Sequence, residues 1–114
     1  MTGNLDDTLA ALAEPTRRKV VDLLRLRPRP AGELAAAFHM SAPAMSRHLR
    51  VLRLTGLVEE EHSGREDARL RVYRLRHLPF VQLRDWASEV ESFWSDQLAG
   101  FKSAAEGARK GKRS

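Results

Sequence analysis

The side chains most clearly suited to binding a partner lie in residues 41–56. Four polar side chains lie one to three residues apart, and no acidic residue interrupts the segment: Ser46, Arg47, Arg50 and Arg53. If this segment is a helix, its exposed face is positive and no carboxylate within it neutralises the charge. Such a face can bind an anionic partner, although charged helical faces are more often only solvated. Whether this face binds a partner or is only solvated must therefore be judged from the neighbouring elements.

Both ends of a helix are marked in this stretch. Ser41 is a good N-cap, because its hydroxyl can accept a hydrogen bond from a free backbone N–H of the first turn. Pro43 is tolerated so early, since its missing N–H costs no helical bond. Gly56 supplies the left-handed residue that ends many helices, and Leu57 can make the apolar contact that follows. An apolar stripe at helical spacing is predicted to face the core: Met45, Leu49 and Leu52.

Shorter patterns on both sides of this helix favour the binding interpretation. Residues 31–38 predict a helix, and only His39 and Met40 separate it from the basic helix. A turn this tight commonly needs a left-handed residue, and His is among the non-glycine types enriched in that conformation. Two helices joined in this way form a helix-turn-helix arrangement. Residues 57–62 and 70–76 then predict two strands, joined by a polar segment that contains a glycine.

The N-terminal part of the chain predicts two more helices. Residues 5–13 place three leucines on one face: Leu5, Leu9 and Leu12. Pro15 predicts the start of the second helix, and Pro28 and Pro30 are expected to stop it. The predicted buried side of this second helix is Val20, Leu23, Leu24 and Leu26.

A long amphipathic pattern begins near Pro79, which can open a helix. Apolar side chains recur at spacings of three or four over about 20 residues, and they include both tryptophans. So much aromatic surface exceeds what a small domain needs to close its own core. An intramolecular core helix is the alternative, but we favour a dimer seam, because self-complementary pairing is the usual geometry of homo-oligomers. The predicted dimer interface is Leu5, Leu9, Leu12, Trp86, Val90, Phe93 and Trp94.

Length and composition limit the class of protein. The 114 residues suit one domain, and a hydrophobic content of 42% is too high for a disordered chain. No apolar run approaches the ~20 residues that a membrane span needs. The N-terminus lacks the basic start and apolar core of a signal peptide, and the absence of cysteine excludes disulfides and thiolate ligands. We therefore expect a cytoplasmic protein that does not bind a membrane.

The positive charge is concentrated in two places. The net charge is +5, and residues 107–114 contribute +4 of it, so the remaining residues are near +1. Because the body of the protein is almost balanced, its basic character is local to residues 41–56. We predict one domain over residues 1–104, followed by a flexible basic tail over residues 105–114.

Catalytic patterns are missing from the sequence. It has no nucleophile elbow, no glycine-rich loop for phosphate and no pair of carboxylates in an apolar setting. We predict that the protein is not an enzyme and needs no cofactor.

The sequence resembles the ArsR-type (ArsR/SmtB) winged helix-turn-helix repressors over roughly residues 8–100. The resemblance is carried by the runs LAEPTRRKVVDLL, AGELAAAFHMSAPAMSRHLRVLRLTGLVEEE and VYRL, and the pattern SxPAxSRHLxVLxxxGLV is specific. It implies an α+β, mostly helical fold: a winged helix-turn-helix with a two-stranded wing and terminal dimerisation helices. It also implies a homodimer that binds a palindromic operator in double-stranded DNA and represses transcription. In the second strand, it favours Tyr73 and Leu75 as the inward side chains.

The resemblance implies a division of roles along the basic helix. Four positions match the base-reading residues of the family: Ala42, Pro43, Ser46 and Arg47. Arg47 is the best candidate for a bidentate contact to guanine, Ser46 suits a tolerant hydrogen bond, and the other two offer apolar contact to a thymine methyl. The predicted phosphate contacts are Ser41, Arg50, Arg65 and Arg69. Small residues stand at positions 42 and 44, where relatives often have Gln or Asn, so the operator sequence stays open.

Metal sensing is common in the resembled family, but this sequence does not match its ligand sets. The family's thiolate site needs cysteines, which are absent. Its other site uses Asp, His and Glu along the last helix. Here Asp85, Glu89 and Glu91 follow His77, but the second His is missing, so we predict no metal site. Two alternatives stay open: a repressor of the same fold switched by a small effector or a metal, and a protein-interaction module that reuses the fold.

Overall fold

Helices make up most of the protein, and a small sheet joins them. The computed structural model describes residues 4–62 and 71–113, with side chains described for residues 4–61 and 71–107. Its elements are α1 (Leu5–Leu12), α2 (Pro15–Leu24), β1 (Arg29–Pro30), α3 (Ala31–Ala37), α4 (Ala42–Leu54), β2 (Val58–His62), β3 (Arg71–Leu75) and α5 (His77–Arg113). They fall into two compact units, Met1–Gln82 and Leu83–Ser114.

The helix α4 begins and ends where its sequence predicts. The Ser41 hydroxyl accepts a hydrogen bond from the Ala44 N–H at 3.3 Å. At the other end, Gly56 has a φ of 82°. The N–H of Leu57 then donates to the Leu52 carbonyl at 2.9 Å, which closes a Schellman motif. The predicted N-cap and left-handed terminus are both confirmed.

The turn between α3 and α4 uses the same motif without a glycine. His39 has a φ of 51°, the only positive φ of a non-glycine residue in the described part of the chain. The Met40 N–H donates to the Ala35 carbonyl at 2.9 Å, and the His39 N–H to the Ala36 carbonyl at 3.2 Å. The prediction that His39 adopts the left-handed conformation is confirmed, and this conformation ends α3 and begins the short connection to α4.

Two guanidinium groups join α2 to the end of α1. The Arg17 Nε donates to the Ala11 carbonyl at 2.7 Å, and Arg18 donates to the Leu12 carbonyl at 3.1 Å. These carbonyls end α1 and have no partner within the helix. The two arginines of α2 therefore cap the C-terminal end of α1 and hold it against α2.

Three antiparallel strands form the sheet in the order β1-β3-β2. In the hairpin, Val58 faces Leu75 and Glu60 faces Tyr73, which confirms the two predicted strands. The predicted wing tip, residues 63–69, lies outside the described residues. The strand β1 was not predicted. It has only two residues, and pairing with β3 rather than local sequence defines it.

Helices α1 to α4 and the strand β2 contribute the core of the first unit. The buried apolar residues are Ala11, Val20, Leu24, Leu34, Ala35, Met45, Leu49, Leu52, Leu57 and Val58. Tyr73 and Leu75 are partly buried and pack against this core, as the resemblance implied. The prediction that Leu26 is buried is wrong, since its side chain is 70% exposed. The helix α2 ends at Leu24, and the chain turns before Leu26 can share its buried face.

Only part of the leucine face of α1 packs against this core, through Leu12. The buried residues of α1 are Thr8 and Ala11, and the Thr8 hydroxyl donates to the Asn4 carbonyl at 3.1 Å. Leu5 and Leu12 are half-buried and Leu9 is exposed. The small residues let α1 approach closely, and part of the leucine face stays accessible.

The helix α5 is longer than predicted at both ends. It begins at His77, so Pro79 lies in the first turn, where its missing N–H costs no helical bond. It continues to Arg113 and so includes most of the predicted tail. Ala, Glu, Lys and Arg have high helix propensity and outnumber the two glycines of that segment, Gly107 and Gly111. Flexibility of residues 105–114 stays a prediction. Within residues 4–62 and 71–113, no helix is both long and apolar enough to cross a membrane.

Candidate nucleic-acid interface

The helix α4 turns its predicted binding residues outward. Its buried stripe holds one side against the core, and the opposite side is exposed at every predicted position: Ser41, Ala42, Pro43, Ser46, Arg47 and Arg50. No acidic residue occurs in α4, whereas it carries three arginines. The helix therefore presents a positive face of small and hydrogen-bonding side chains, suited to approach base edges and phosphates. The individual contacts to DNA stay predictions.

His48 does not belong to this face. Its side chain is half-buried, and its Nδ1 lies 3.7 Å from Oε2 of Glu14. Glu14 is the N-cap of α2 and accepts a hydrogen bond from the Arg17 N–H at 2.9 Å. That backbone hydrogen bond is the main reason that the pKa of the Glu14 carboxyl lies below its ordinary value. His48 therefore packs α4 against the start of α2.

A cluster of polar side chains lies between α4 and the sheet. Glu60 of β2 accepts hydrogen bonds from Arg53 at 3.1 Å, from Arg71 at 3.5 Å and from the Tyr73 hydroxyl at 2.8 Å. Burial, followed by the bond to Glu60, raises the pKa of the Tyr73 hydroxyl, so the hydroxyl remains a donor. We name Arg53, Glu60, Arg71 and Tyr73 the Glu60 cluster.

The Glu60 cluster borders a cavity on the exposed side of α4. The cavity has a volume of about 310 Å³ and is also lined by Ser46 and Arg50. The structure thus brings two predicted contact residues next to Arg53 and Arg71, which the sequence prediction did not include. This convergence depends on the hairpin register, which places Glu60 opposite Tyr73. It could be predicted from the sequence only if that register were known.

Two of the residues predicted to contact phosphate belong to the wing. Arg65 and Arg69 lie outside the described residues, so their roles stay predictions. The strands that lead to the wing tip are described, and Arg71 is the first described residue after it.

In the second unit, α5 exposes a row of large apolar side chains. The exposed fractions are 42% for Trp86, 40% for Val90, 58% for Phe93 and 59% for Trp94. The rings of Phe93 and Trp94 lie edge to face, with centroids 6.1 Å apart. Leu98 and Phe101 extend the row. Contiguous apolar surface of this kind is typical of a protein-protein interface.

The acidic residues of α5 have ordinary surface partners. Asp85 accepts a hydrogen bond from Arg84 at 3.2 Å, and Glu91 accepts one from the Ser95 hydroxyl at 2.7 Å. Across the part of the chain that the structure describes, no group of three or more His, Asp or Glu side chains is arranged to hold a metal ion.

A second cavity, of about 450 Å³, lies elsewhere in the first unit. It is lined by the end of α2 and by the junction of β3 and α5, including Leu24, Leu75, Arg76 and Phe80. Apolar and cationic groups meet there, so an organic anion with an apolar body is the class of molecule that would fit.

Comparison with known proteins gives one consistent result. The family model described as "Bacterial regulatory protein, arsR family" matches residues 14–60. HTH-type transcriptional regulator Rv2034 of Mycobacterium tuberculosis (strain ATCC 25618 / H37Rv) is 36% identical over 96 residues, which cover 84% of this chain and 83% of the relative. Transcriptional repressor SdpR of Bacillus subtilis (strain 168) is 33% identical over 60 residues, which cover 53% of this chain and 67% of the relative.

A solved structure agrees with these sequence matches. The solution structure of the homodimeric winged helix-turn-helix DNA-binding domain (fragment 1–100) of Mb0332 from Mycobacterium bovis superposes with a TM-score of 0.57 at 27% identity. The match covers 77% of this chain and 84% of that chain.

Proposed function

Because this chain belongs to the ArsR family of bacterial regulatory proteins and is a winged helix-turn-helix transcriptional regulator, we propose that it is a dimeric repressor whose helix α4 reads a palindromic operator. Repression follows if the dimer covers the operator and excludes polymerase. The relative SdpR, which carries the name of repressor, supports this direction of regulation.

The exposed face of α4 is the observation that carries the proposal. Its three arginines have no acidic neighbour within the helix, and the buried stripe on the other side fixes their direction. A helix held in this way can enter the major groove with its N-terminal half against the bases. Arg47 is assigned to a guanine and Ser46 to an adjacent base, while Ala42 and Pro43 contact thymine methyl groups. Ser41 and Arg50, with the wing residues Arg65 and Arg69, contact phosphates.

The apolar row of α5 supports the dimer. Trp86, Val90, Phe93 and Trp94 present an interface that a second copy can cover by isologous pairing, and the similar domain of Mb0332 is homodimeric. Leu9 of α1 is exposed and can join the same interface together with Leu5 and Leu12.

Selection of bound fragments from the source genome tests the proposed function. We expect the purified protein to retain a small set of fragments, and an electrophoretic shift with each should survive excess random DNA. The shared motif should be palindromic, because two protomers read two half-sites. If no fragment is retained above the background of random DNA, the chain is instead a protein-interaction module that reuses the fold.

Regulation by a small molecule is a second candidate, favoured by the cavity near Leu75 and Phe80. A small organic anion bound there would weaken operator binding if it prefers a different conformation of the protein. Calorimetric titrations with divalent metals and with small organic acids separate a metal-switched from an anion-switched repressor. We place the protein in the cytoplasm, where its DNA target lies.

The basic C-terminal segment leads to a separate prediction. Removing residues 107–114 should lower affinity for random DNA and flatten its dependence on salt, while the preference for the operator is kept. Each lost phosphate contact changes the log–log salt slope by about 0.9. The matched control replaces Arg109, Lys110, Lys112 and Arg113 with Gln and keeps the length. An unchanged slope in both variants would show that the segment does not touch DNA.

A further inference from the structure

We propose that the Glu60 cluster binds one phosphodiester group of the operator backbone, and that Glu60 is the positioning residue that holds Arg53 and Arg71 for this contact. This inference rests on the proposed function, since it assumes that the exposed face of α4 meets DNA. It adds a phosphate contact for Arg53 of the exposed face of α4 and for Arg71, and a positioning role for Glu60; no contact to DNA was assigned to these three residues above.

The carboxylate of Glu60 has a defined position. Its side chain is 18% exposed, and it accepts the Tyr73 hydroxyl at 2.8 Å from the directly opposite residue of β3. Tyr73 itself packs against the core. A carboxylate fixed in this way can direct the side chains that bind it, because its own freedom has already been lost on folding.

The two arginines are held by Glu60 but keep donors for a further ligand. Arg53 and Arg71 each reach Glu60 through Nη1. A guanidinium has five N–H donors, so most donors of each group stay available. Their side chains are 45% and 56% exposed, in contrast to that of Glu60. The less exposed carboxylate holds the two more exposed guanidinium groups and so orients them toward a phosphate.

The position and charge of the cavity point to the DNA backbone as the ligand. The cavity of about 310 Å³ is bordered by Ser46 and Arg50 of the exposed face of α4. Among the described residues that line it, three guanidinium groups face one carboxylate, which leaves a formal charge of +2. Arg53 comes from α4 and Arg71 from the strand that follows the wing tip, so a phosphate bound here would contact both elements at once.

The direction in which Glu60→Gln changes DNA affinity shows whether Glu60 positions the arginines or only repels the DNA. Removing a carboxylate near DNA reduces repulsion and by itself should raise affinity. If Glu60 positions the arginines, Glu60→Gln should instead lower affinity, although the protein becomes more positive. Glu61→Gln is the matched control, because Glu61 lies next to Glu60 in β2, is 54% exposed and pairs only at 3.7 Å with Arg74.

The experiment measures affinity for operator and for random DNA across a range of salt concentrations. For Glu60→Gln we expect about fivefold weaker binding to both DNAs, the net effect of losing one charge-assisted network. The salt slope should also fall by up to about 0.9, one phosphate contact. Glu61→Gln should bind at least as tightly as the wild type, with an unchanged slope. Adding Glu60→Gln to Arg53→Ala should cost less than it does in the wild type, because the two residues act together.

Three results would overturn the inference. Equal or tighter binding by Glu60→Gln would show that Glu60 competes with phosphate for the arginines rather than directing them. A lower melting temperature with unchanged affinity and salt slope would show a structural role only. If Arg71→Ala and Arg53→Ala leave the slope unchanged, no phosphate binds at this cavity. A wild-type protein that binds no operator would overturn the proposed function, whereas each of these three results leaves the proposed function intact.

Discussion

Replacing Phe93 and Trp94 together with alanine is expected to raise the dissociation constant of the dimer by at least about a thousandfold, since truncating a central aromatic at an interface typically costs about 2 kcal/mol or more. Both rings belong to the exposed row of α5, and each would be present twice in the symmetric interface that we propose. Operator affinity should fall with dimerisation, because a single protomer contacts one half-site only.

Light scattering and an electrophoretic shift measure the two effects in the same preparation. The protomer should keep its fold, since 58% of Phe93 and 59% of Trp94 are already exposed within it. The matched control is Leu26→Ala, which truncates an apolar side chain that is 70% exposed outside α5. A wild-type mass of 12.9 kDa at high concentration would show that the protein is monomeric and that this row has another partner.

The second large effect concerns recognition of the operator's base sequence by Arg47. Arg47→Ala should weaken operator binding by about 1–3 kcal/mol, or roughly 5–150-fold, and should relax the preference at one base pair in each half-site. Arg47 is exposed on α4 one residue after Ser46, in the N-terminal half of the helix that we propose enters the groove. The two affected base pairs should lie about 34 Å apart, one helical turn, or a multiple of that.

Arg50→Ala is the comparison that separates a contact to a base from a contact to the phosphate backbone. Arg50 lies one turn further along α4 and borders the cavity of the Glu60 cluster, so its loss should weaken binding to operator and random DNA by similar factors. Both variants are measured against single-base operator mutants at fixed salt. If Arg47→Ala lowers affinity equally for all sequences, specificity comes instead from the wing or from the shape of the DNA.

Local sequence was sufficient for the helix-turn-helix. Ser41, Gly56 and the stripe of Met45, Leu49 and Leu52 each act within a few residues, so their helix could be predicted to within two residues of its end. The left-handed conformation of His39 could be predicted because the sequence leaves only His39 and Met40 between the two predicted helices, and few residue types tolerate the backbone conformation that such a turn needs.

Features that depend on distant residues could not be predicted in this way. The strand β1 exists because Arg29 and Pro30 pair with β3, more than forty residues later in the chain. Glu60 receives its partners from α4 and β3, and their convergence depends on the register of the hairpin. Leu26 was assigned to the core on its helical spacing, but the helix ends two residues before it, so the spacing no longer applies.

The short strand β1 also bears on how one side of the sheet is protected from pairing with another chain. Strands β2 and β3 pair with each other, and β1 occupies the free side of β3. An uncovered strand offers a row of N–H and C=O groups to which another chain can add, the first step toward aggregation. Here the strand that takes that side has two residues, and one of them, Pro30, has no N–H to donate. This side of the sheet therefore resists growth by strand addition.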